Sequence, residues 1–289
     1  MSYADKLFVN MCNDILTNGT TNQGQKIRPK WEDGTPAYTI KKFGVINRYD
    51  LRKEFPAITL RRTPIISAID EILWIWQKKT NDITKLRTHI WDAWADENGF
   101  IGKAYGYQAG LKNIYNASYN KFEYPIDQVE NLLFELKNNP FSRRHILTLW
   151  NNADLHAMRL QPCCWSCTFN VTDEGNDKYV LNLLLNQRSQ DVLAANNWNV
   201  VQYAALLMMI AQVSDMIPGE LVHVIADAHI YDRHVDIIKD LISRPIYETA
   251  PTVTLDPDIK RFEDFVPESF KIENYVYCTK PVPKIPIAI

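Results

Sequence analysis

The chain has 289 residues, 46% of them hydrophobic and 23% charged, with 32 Lys+Arg against 34 Asp+Glu. That balance excludes a disordered chain and leaves no overall positive field for a polyanion-binding role. Cysteines are odd in number, and Cys163, Cys164 and Cys167 crowd one segment. Reduced thiols in a cytosol explain this better than a disulfide framework. The apolar run Tyr203 to Ala211 is far shorter than a membrane-spanning helix needs. The N-terminus lacks a basic start followed by an apolar run, so no secretory signal is expected. A cytoplasmic protein follows. With no repeat, low-complexity tract or Gly/Ser-rich linker, residues 1–289 read as one domain.

In chain order, residues 3–18 read as a helix ended by Asn18-Gly19. Trp31 to Pro36 is turn-rich and leads into a strand from Tyr38 to Ile46. Pro64 to Gln77 reads as a helix whose apolar residues surround its axis, so it is expected to be buried on most sides. Asp127 to Asn138 reads as a more amphipathic helix. Arg144 to Trp150, Ser166 to Val171 and Tyr179 to Asn186 read as strands, the last two joined by a turn at Asp173 to Asp177. Asn199 to Val213 reads as a long apolar helix, Leu221 to Ile225 as a strand and His229 to Leu241 as a helix. Strands mixed irregularly with helices favour α+β: a mixed or antiparallel sheet covered by helices.

Four groups of residues invite chemistry. Glu71 sits in the most apolar helix, where desolvation raises a carboxyl pKa toward proton-transfer range, unless it is simply paired with an arginine. Arg143 and Arg144 are adjacent guanidiniums that fork onto a phosphate or carboxylate, or form an ordinary exposed basic pair. Arg188 leaves a buried strand and needs an anionic partner. Cys163 follows Pro162 and suits a thiol nucleophile near arginines, against the alternative of a small buried apolar residue. The Cys164-x-x-Cys167 spacing runs into a strand and does not open a helix, which disfavours redox or zinc use. Asp227, His229 and Tyr231 alternate and share one side if the chain is extended there, able to grip a polar ligand such as a sugar hydroxyl. Glycine-rich phosphate loops and standard metal-ligand spacings are absent, so no metal is expected.

Taken in order, Glu71-Ile-Leu-Trp74, Ile90-Trp-Asp-Ala-Trp94, Tyr105-Gly106, Ser142-Arg-Arg144, Pro162-Cys163, Gln187-Arg-Ser-x-Asp191, Asn199, Asp227-Ala-His-Ile-Tyr231 and the terminal Ala288-Ile289 match one pattern. The chain resembles the folate-dependent thymidylate synthase family from about its first helix to its last residue. The resemblance implies reductive methylation of dUMP to dTMP, with 5,10-methylenetetrahydrofolate as one-carbon and hydride donor. Cys163 then adds to C6 of the pyrimidine, Asn199 reads the uracil edge, Glu71 handles protons near O4, and Tyr105 assists proton removal from C5. Arg28, Arg143, Arg144 and Arg188 match the phosphate-binding arginines, which are also expected to favour thiolate at Cys163; Ser189 adds a hydroxyl. His229 and Tyr231 match the residues that hold the deoxyribose 3′-hydroxyl. Arg61, Arg62, Trp91, Trp94, Asp191, Ala195, Trp198, Ile287 and Ala288 correspond to the folate side, where the C-terminal tail to Ile289 closes over the site. In this family the tandem arginines come from the other subunit, so the resemblance also implies a homodimer with the sheet at its interface.

Three departures stand out. Cys164 occupies a position that is usually His, while Ala195 and Ala226 replace glycines. Two rival functions stand beside it: a dUMP hydroxymethylase on the same scaffold, and an RNA-binding protein without catalysis. Asn199 favours uracil over cytosine but does not separate methylation from hydroxymethylation, and no basic stripe supports RNA as the primary partner.

Overall fold

The computed structural model describes residues 2–115, 124–176 and 178–289. In chain order the helices and strands are α1 (Tyr3–Asn18), β1 (Thr20–Thr21), β2 (Thr39–Asp50), α2 (Ile65–Trp76), α3 (Gly106–Ala109), α4 (Gln128–Asn138), β3 (Ile146–Thr148), β4 (Cys164–Asp173), β5 (Tyr179–Gln187), β6 (Gln190–Asp191), α5 (Asn196–Val213), β7 (Ile217–Tyr231), α6 (Val235–Ile242), β8 (Thr252–Leu255) and β9 (Phe270–Glu273). Among the described residues, the first seven strands form one sheet in the order β1-β2-β7-β5-β4-β3, with β6 alongside β7. Pairing is antiparallel except where β7 meets β5 and β6. The sheet is thus mixed, within an α+β fold. A small hairpin, β8-β9, lies apart from it.

Helices cover one face of that sheet. α5 packs on β7 and β5, α1 on β2, and α2 lies against α5. α5 is apolar nearly all round, with Val200, Val201, Ala204, Leu206, Leu207 and Ile210 all buried, as a helix sandwiched between a sheet and a second helix must be. The opposite sheet face is different. There the strands present Ile46, Ile146, Leu184, Val222 and Val224, of which Ile46 is 58% exposed and Ile146 55% exposed.

The structure corrects the sequence reading in three places. β7 is a continuous strand from Ile217 to Tyr231, so His229 and Tyr231 lie on a strand and the following helix starts only at Val235. The strand read from Arg144 shrinks to Ile146–Thr148, which leaves Arg143 and Arg144 on the turn before it. α5 begins three residues early, so Asn199 belongs to its first turn, with its N–H bonded to the Ala195 carbonyl at 2.9 Å. Asp177, the last residue of the turn expected after β4, lies outside the described residues.

Candidate active site

Cys163 ends the loop that feeds β4, and Arg188 follows the paired strand β5. The backbone joins them: the Arg188 N–H donates to the Cys163 carbonyl at 2.9 Å. The guanidinium then folds back. Its Nε donates to Pro162 O at 3.0 Å, its Nη2 to Gln161 O at 2.7 Å, and the same Nη2 stands 3.8 Å from Cys163 Sγ. Trp150 lies under it, 5.8 Å from ring centre to guanidinium. Among the described residues no carboxylate forms an ion pair with Arg188, although three carboxylate-free neighbours hold it still. A fixed guanidinium without an anion is half of an anion site.

Tyr105 approaches Cys163 from the position just before α3. The Cys163 N–H donates to the Tyr105 hydroxyl at 3.0 Å. Tyr105 has a positive φ of 48°, and Gly106 follows it. A Cβ at Gly106 would lie 2.2 Å from the Thr80 carbonyl oxygen, so only glycine lets the chain run this close and aim the phenol at the thiol loop. Burial pushes the Cys163 thiol up, against the pull of Arg188, the Tyr105 hydroxyl and Arg28. The arginines act in the expected direction, and desolvation outweighs them.

Glu71 projects from α2 toward Trp91 and Trp198. Trp91 Nε1 donates to its Oε1 at 2.9 Å, and Trp198 Nε1 donates to its Oε2. Burial raises the carboxyl to about 7 despite those two bonds and the nearby Gln202 amide, which pull it down. No arginine pairs with it among the described residues, so the simple ion-pair alternative is set aside. Trp91 also packs edge-on against Tyr105, with centroids 5.1 Å apart, and against Trp94 at 5.7 Å.

Asn199 sits among three glutamines. Its Oδ1 accepts from Gln187 Nε2 at 3.2 Å and Gln190 Nε2 at 3.4 Å, while its Nδ2 donates to Gln202 Oε1 at 3.0 Å. On β7, Asp227 Oδ1 meets His229 Nδ1 at 2.8 Å, and Lys41 Nζ holds the other oxygen at 2.8 Å. The ring of His229 stands edge-on to Tyr231, centroids 5.0 Å apart. The Asp191 carboxylate accepts from the N–H groups of Leu193 and Ala194, each at 3.0 Å, with His234 Nδ1 at 3.4 Å. Burial raises its pKa, but His234 and the Ala194 N–H outweigh that and hold it below the usual carboxylate range.

A family model for thymidylate synthase matches residues 6–289. The chain belongs to the thymidylate synthase family. Thymidylate synthase 1 of Bacillus spizizenii is 41% identical over 97% of this chain and 98% of its own length. The thymidylate synthase of Bacillus phage phi3T is 42% identical over the same shares. Among solved structures, thermostable thymidylate synthase A from Bacillus subtilis superposes with a TM-score of 0.89 at 39% identity, covering 99% of both chains. The enzyme class that goes with this membership is a methyltransferase.

The remaining residues singled out for a thymidylate synthase are scattered in character. Arg28 is exposed, near enough to Cys163 and Tyr231 for its charge to act on both. Arg143 and Arg144 are exposed and form no ion pair among the described residues. Ser189 is half-buried, with its carbonyl accepting from Gln187 Nε2 at 3.0 Å. Arg61 turns inward to donate to the Leu193 carbonyl, whereas Arg62 stays exposed beside Lys280 in a surface pocket. Ala195 is half-buried just before α5. The tail is docked: Ile289 and Lys30 exchange backbone hydrogen bonds at 2.9 and 3.0 Å, and His234 Nε2 meets the Pro286 carbonyl at 2.8 Å. Ile287 remains 47% exposed beside it, and Ala288 is half-buried.

Sequence reasoning gave no role to Gln187, Gln190, Gln202, Trp150 or His234. Neutral amides carry no charge pattern, and a tryptophan beneath an arginine has no fixed spacing from it. Among the described residues, no helix is long and apolar enough to cross a membrane, and no group of three His, Cys, Asp or Glu side chains is arranged to hold a metal ion.

Proposed function

We propose that this chain converts dUMP to dTMP with 5,10-methylenetetrahydrofolate as co-substrate, releasing dihydrofolate. The observation that carries the reading is Arg188, a half-buried guanidinium 3.8 Å from Cys163 Sγ that forms no ion pair with a carboxylate among the described residues. A nucleotide phosphate is the anion that fits such a site. It pairs there with Arg188, Arg28 and Ser189, while His229 and Tyr231 take the 3′-hydroxyl.

With its phosphate held, the nucleotide presents C6 to Cys163. The thiol loses its proton and sulfur bonds to C6, which makes C5 a carbon nucleophile. Asn199 hydrogen-bonds O4 and N3–H, the pattern that an amide with one donor and one acceptor matches on uracil. Glu71, close to half protonated at neutral pH, donates toward O4 as charge develops there. Tyr105, whose phenol is kept neutral by burial, relays the C5 proton. The folate supplies the one-carbon unit and the hydride; Trp91, Trp94, Trp198 and Asp191 offer it an aromatic wall and a carboxylate, and the docked tail excludes water. Elimination of Cys163 then frees dTMP.

The same reading includes a homodimer. The uncovered sheet face sets Ile46, Ile146, Leu184, Val222 and Val224 among Arg48, Thr168 and Asn186, a partly apolar surface suited to a second copy. Arg143 and Arg144, without an ion pair among the described residues, then reach the partner's phosphate site. Incubation with dUMP and methylenetetrahydrofolate tests the activity. Dihydrofolate and a nucleotide heavier by a methyl group support it. Hydroxymethyl-dUMP with tetrahydrofolate overturns it in favour of the hydroxymethylase.

A further inference from the structure

His223 lies in the middle of β7, fully buried, and no part of the reaction above uses it. Its Nε2 stands 2.7 Å from Gln187 Oε1, and the Cys164 thiol lies 3.3 Å from the same oxygen. Strand pairing brings the three together: Cys164 is opposite Gln187 across β4-β5, and His223 is opposite Leu185 across β5-β7, so its side chain shares the helix-covered face. The other end of the Gln187 amide donates to the Ser189 carbonyl at 3.0 Å and to Asn199 Oδ1 at 3.2 Å.

A backbone carbonyl only accepts, so the group facing Ser189 must be the amide NH2. Oε1 therefore faces His223 and Cys164, and both must donate to it. That fixes His223 as the neutral Nε2–H tautomer. Its Nδ1 is left as a bare lone pair, and it has no hydrogen-bond partner among the described residues. Burial pulls the imidazole pKa down to about 3, so the ring stays neutral throughout the working pH range.

We propose that His223, with Cys164, is a positioning residue that locks the Gln187 amide so that Gln187 in turn fixes Asn199 for uracil and against cytosine. The proposal rests on the reading of Asn199 given above. Rotating Gln187 by a half-turn would set its NH2 against two donors and its oxygen against the Ser189 carbonyl. While His223 donates, that rotation is closed, and the acceptor end of Asn199 stays committed to Gln187. Cys164, at a position where histidine is usual, is too weak a donor to do this alone. The imidazole supplied from β7 makes up the difference.

The test compares binding of dUMP and dCMP, by calorimetry, to the parent and to His223→Met, His223→Gln and Cys164→Ala. Glutamine keeps a donor near the Nε2 position; methionine keeps the volume and removes it. The dUMP-over-dCMP preference is expected to fall about tenfold in His223→Met, the scale of one buried hydrogen bond, less in Cys164→Ala, and to recover in His223→Gln. Parental preference in both His223→Met and Cys164→Ala overturns the proposal. A parent that shows no preference indicts Asn199 instead. Nitrogen-15 spectra of histidine-labelled parent protein give an independent readout, with the His223 signal assigned by its loss in His223→Gln. A neutral Nε2–H ring from pH 5 to pH 9 is expected, and an Nδ1–H tautomer or a charged ring sinks the proposal even if His223→Met does not fold.

Discussion

Trp91 and Trp198 grip opposite oxygens of the Glu71 carboxylate with their indole N–H groups. Both come from segments expected to face folate, and both are spent on holding one acid in a dry pocket. The consequence is a pH-dependent stability. Burial raises Glu71 from 4.5 to about 7, so the folded protein holds that proton more tightly than the unfolded chain. The contribution is complete below the unfolded pKa and is lost as pH rises through the folded one. From pH 5 to pH 8 the parent is therefore expected to lose stability relative to Glu71→Gln, by up to roughly 3 kcal/mol. Urea unfolding of both proteins across that range checks this; parallel curves would remove Glu71 as the titrating group.

Cys163→Ser tests the nucleophile directly. A serine hydroxyl in the same loop keeps the hydrogen bond from the residue-163 N–H to Tyr105 and the Arg188 cradle, but is a far weaker nucleophile. Turnover is expected to fall on the order of 10³-fold or more, with dUMP affinity within a few-fold of the parent. Trapping with 5-fluoro-dUMP and the folate should label the parent peptide and leave the variant unlabelled. Turnover near the parent rate would assign the chemistry elsewhere.

Asn199→Asp changes the acceptor–donor pair at the uracil edge into acceptors alone. The cytosine amino group then finds a partner and uracil N3–H keeps one, while O4 loses its donor. Competition between dUMP and dCMP is expected to move toward dCMP by on the order of 10²-fold. An unchanged ratio would take specificity away from this side chain.

The helices were legible because their periodicity and caps are local. Asn18-Gly19 does end α1, and Asp127 does cap α4, with Glu130 closing the reciprocal bond. β7 was not legible in full. Ile230, His234, Ile237, Ile238 and Leu241 keep a helical spacing, so the pattern ran back over residues that are in fact paired with Thr39 to Lys41. Only that long-range pairing decides the matter, and it leaves no trace in local sequence. The same holds for the site. Charged and nucleophilic residues stood out by type, whereas the relay from His223 through Gln187 to Asn199 depends on which strands are neighbours.

The tail offers a separation of stability from turnover. Two backbone hydrogen bonds tie Ile289 to Lys30, and Ile289 itself is 54% exposed. Deleting Ala288 and Ile289 removes a terminal segment with little buried area, so the unfolding free energy should change by about 1 kcal/mol or less. If closure excludes water, kcat should nonetheless fall at least about tenfold while dUMP binding persists. Equal losses in dUMP affinity and kcat would mean that the tail supports the nucleotide site and does not act as a lid.

The proposed homodimer makes a sharper demand on Arg143 and Arg144. Both are exposed and without an ion pair among the described residues, beside the uncovered sheet face. If they serve the partner's phosphate, a subunit carrying Cys163→Ser still donates good arginines, and a subunit carrying Arg143→Ala and Arg144→Ala still holds a good thiol. Each protein alone should be inactive. After unfolding and refolding as an equal mixture, half of the dimers are mixed and each carries one complete site, so about a quarter of the parent activity should return. Recovery is impossible if the arginines act within their own chain, because no single subunit in the mixture then has both. Activity that stays at the level of the separate variants, in a mixture shown by mass spectrometry to contain the mixed dimer, would return both arginines to their own subunit.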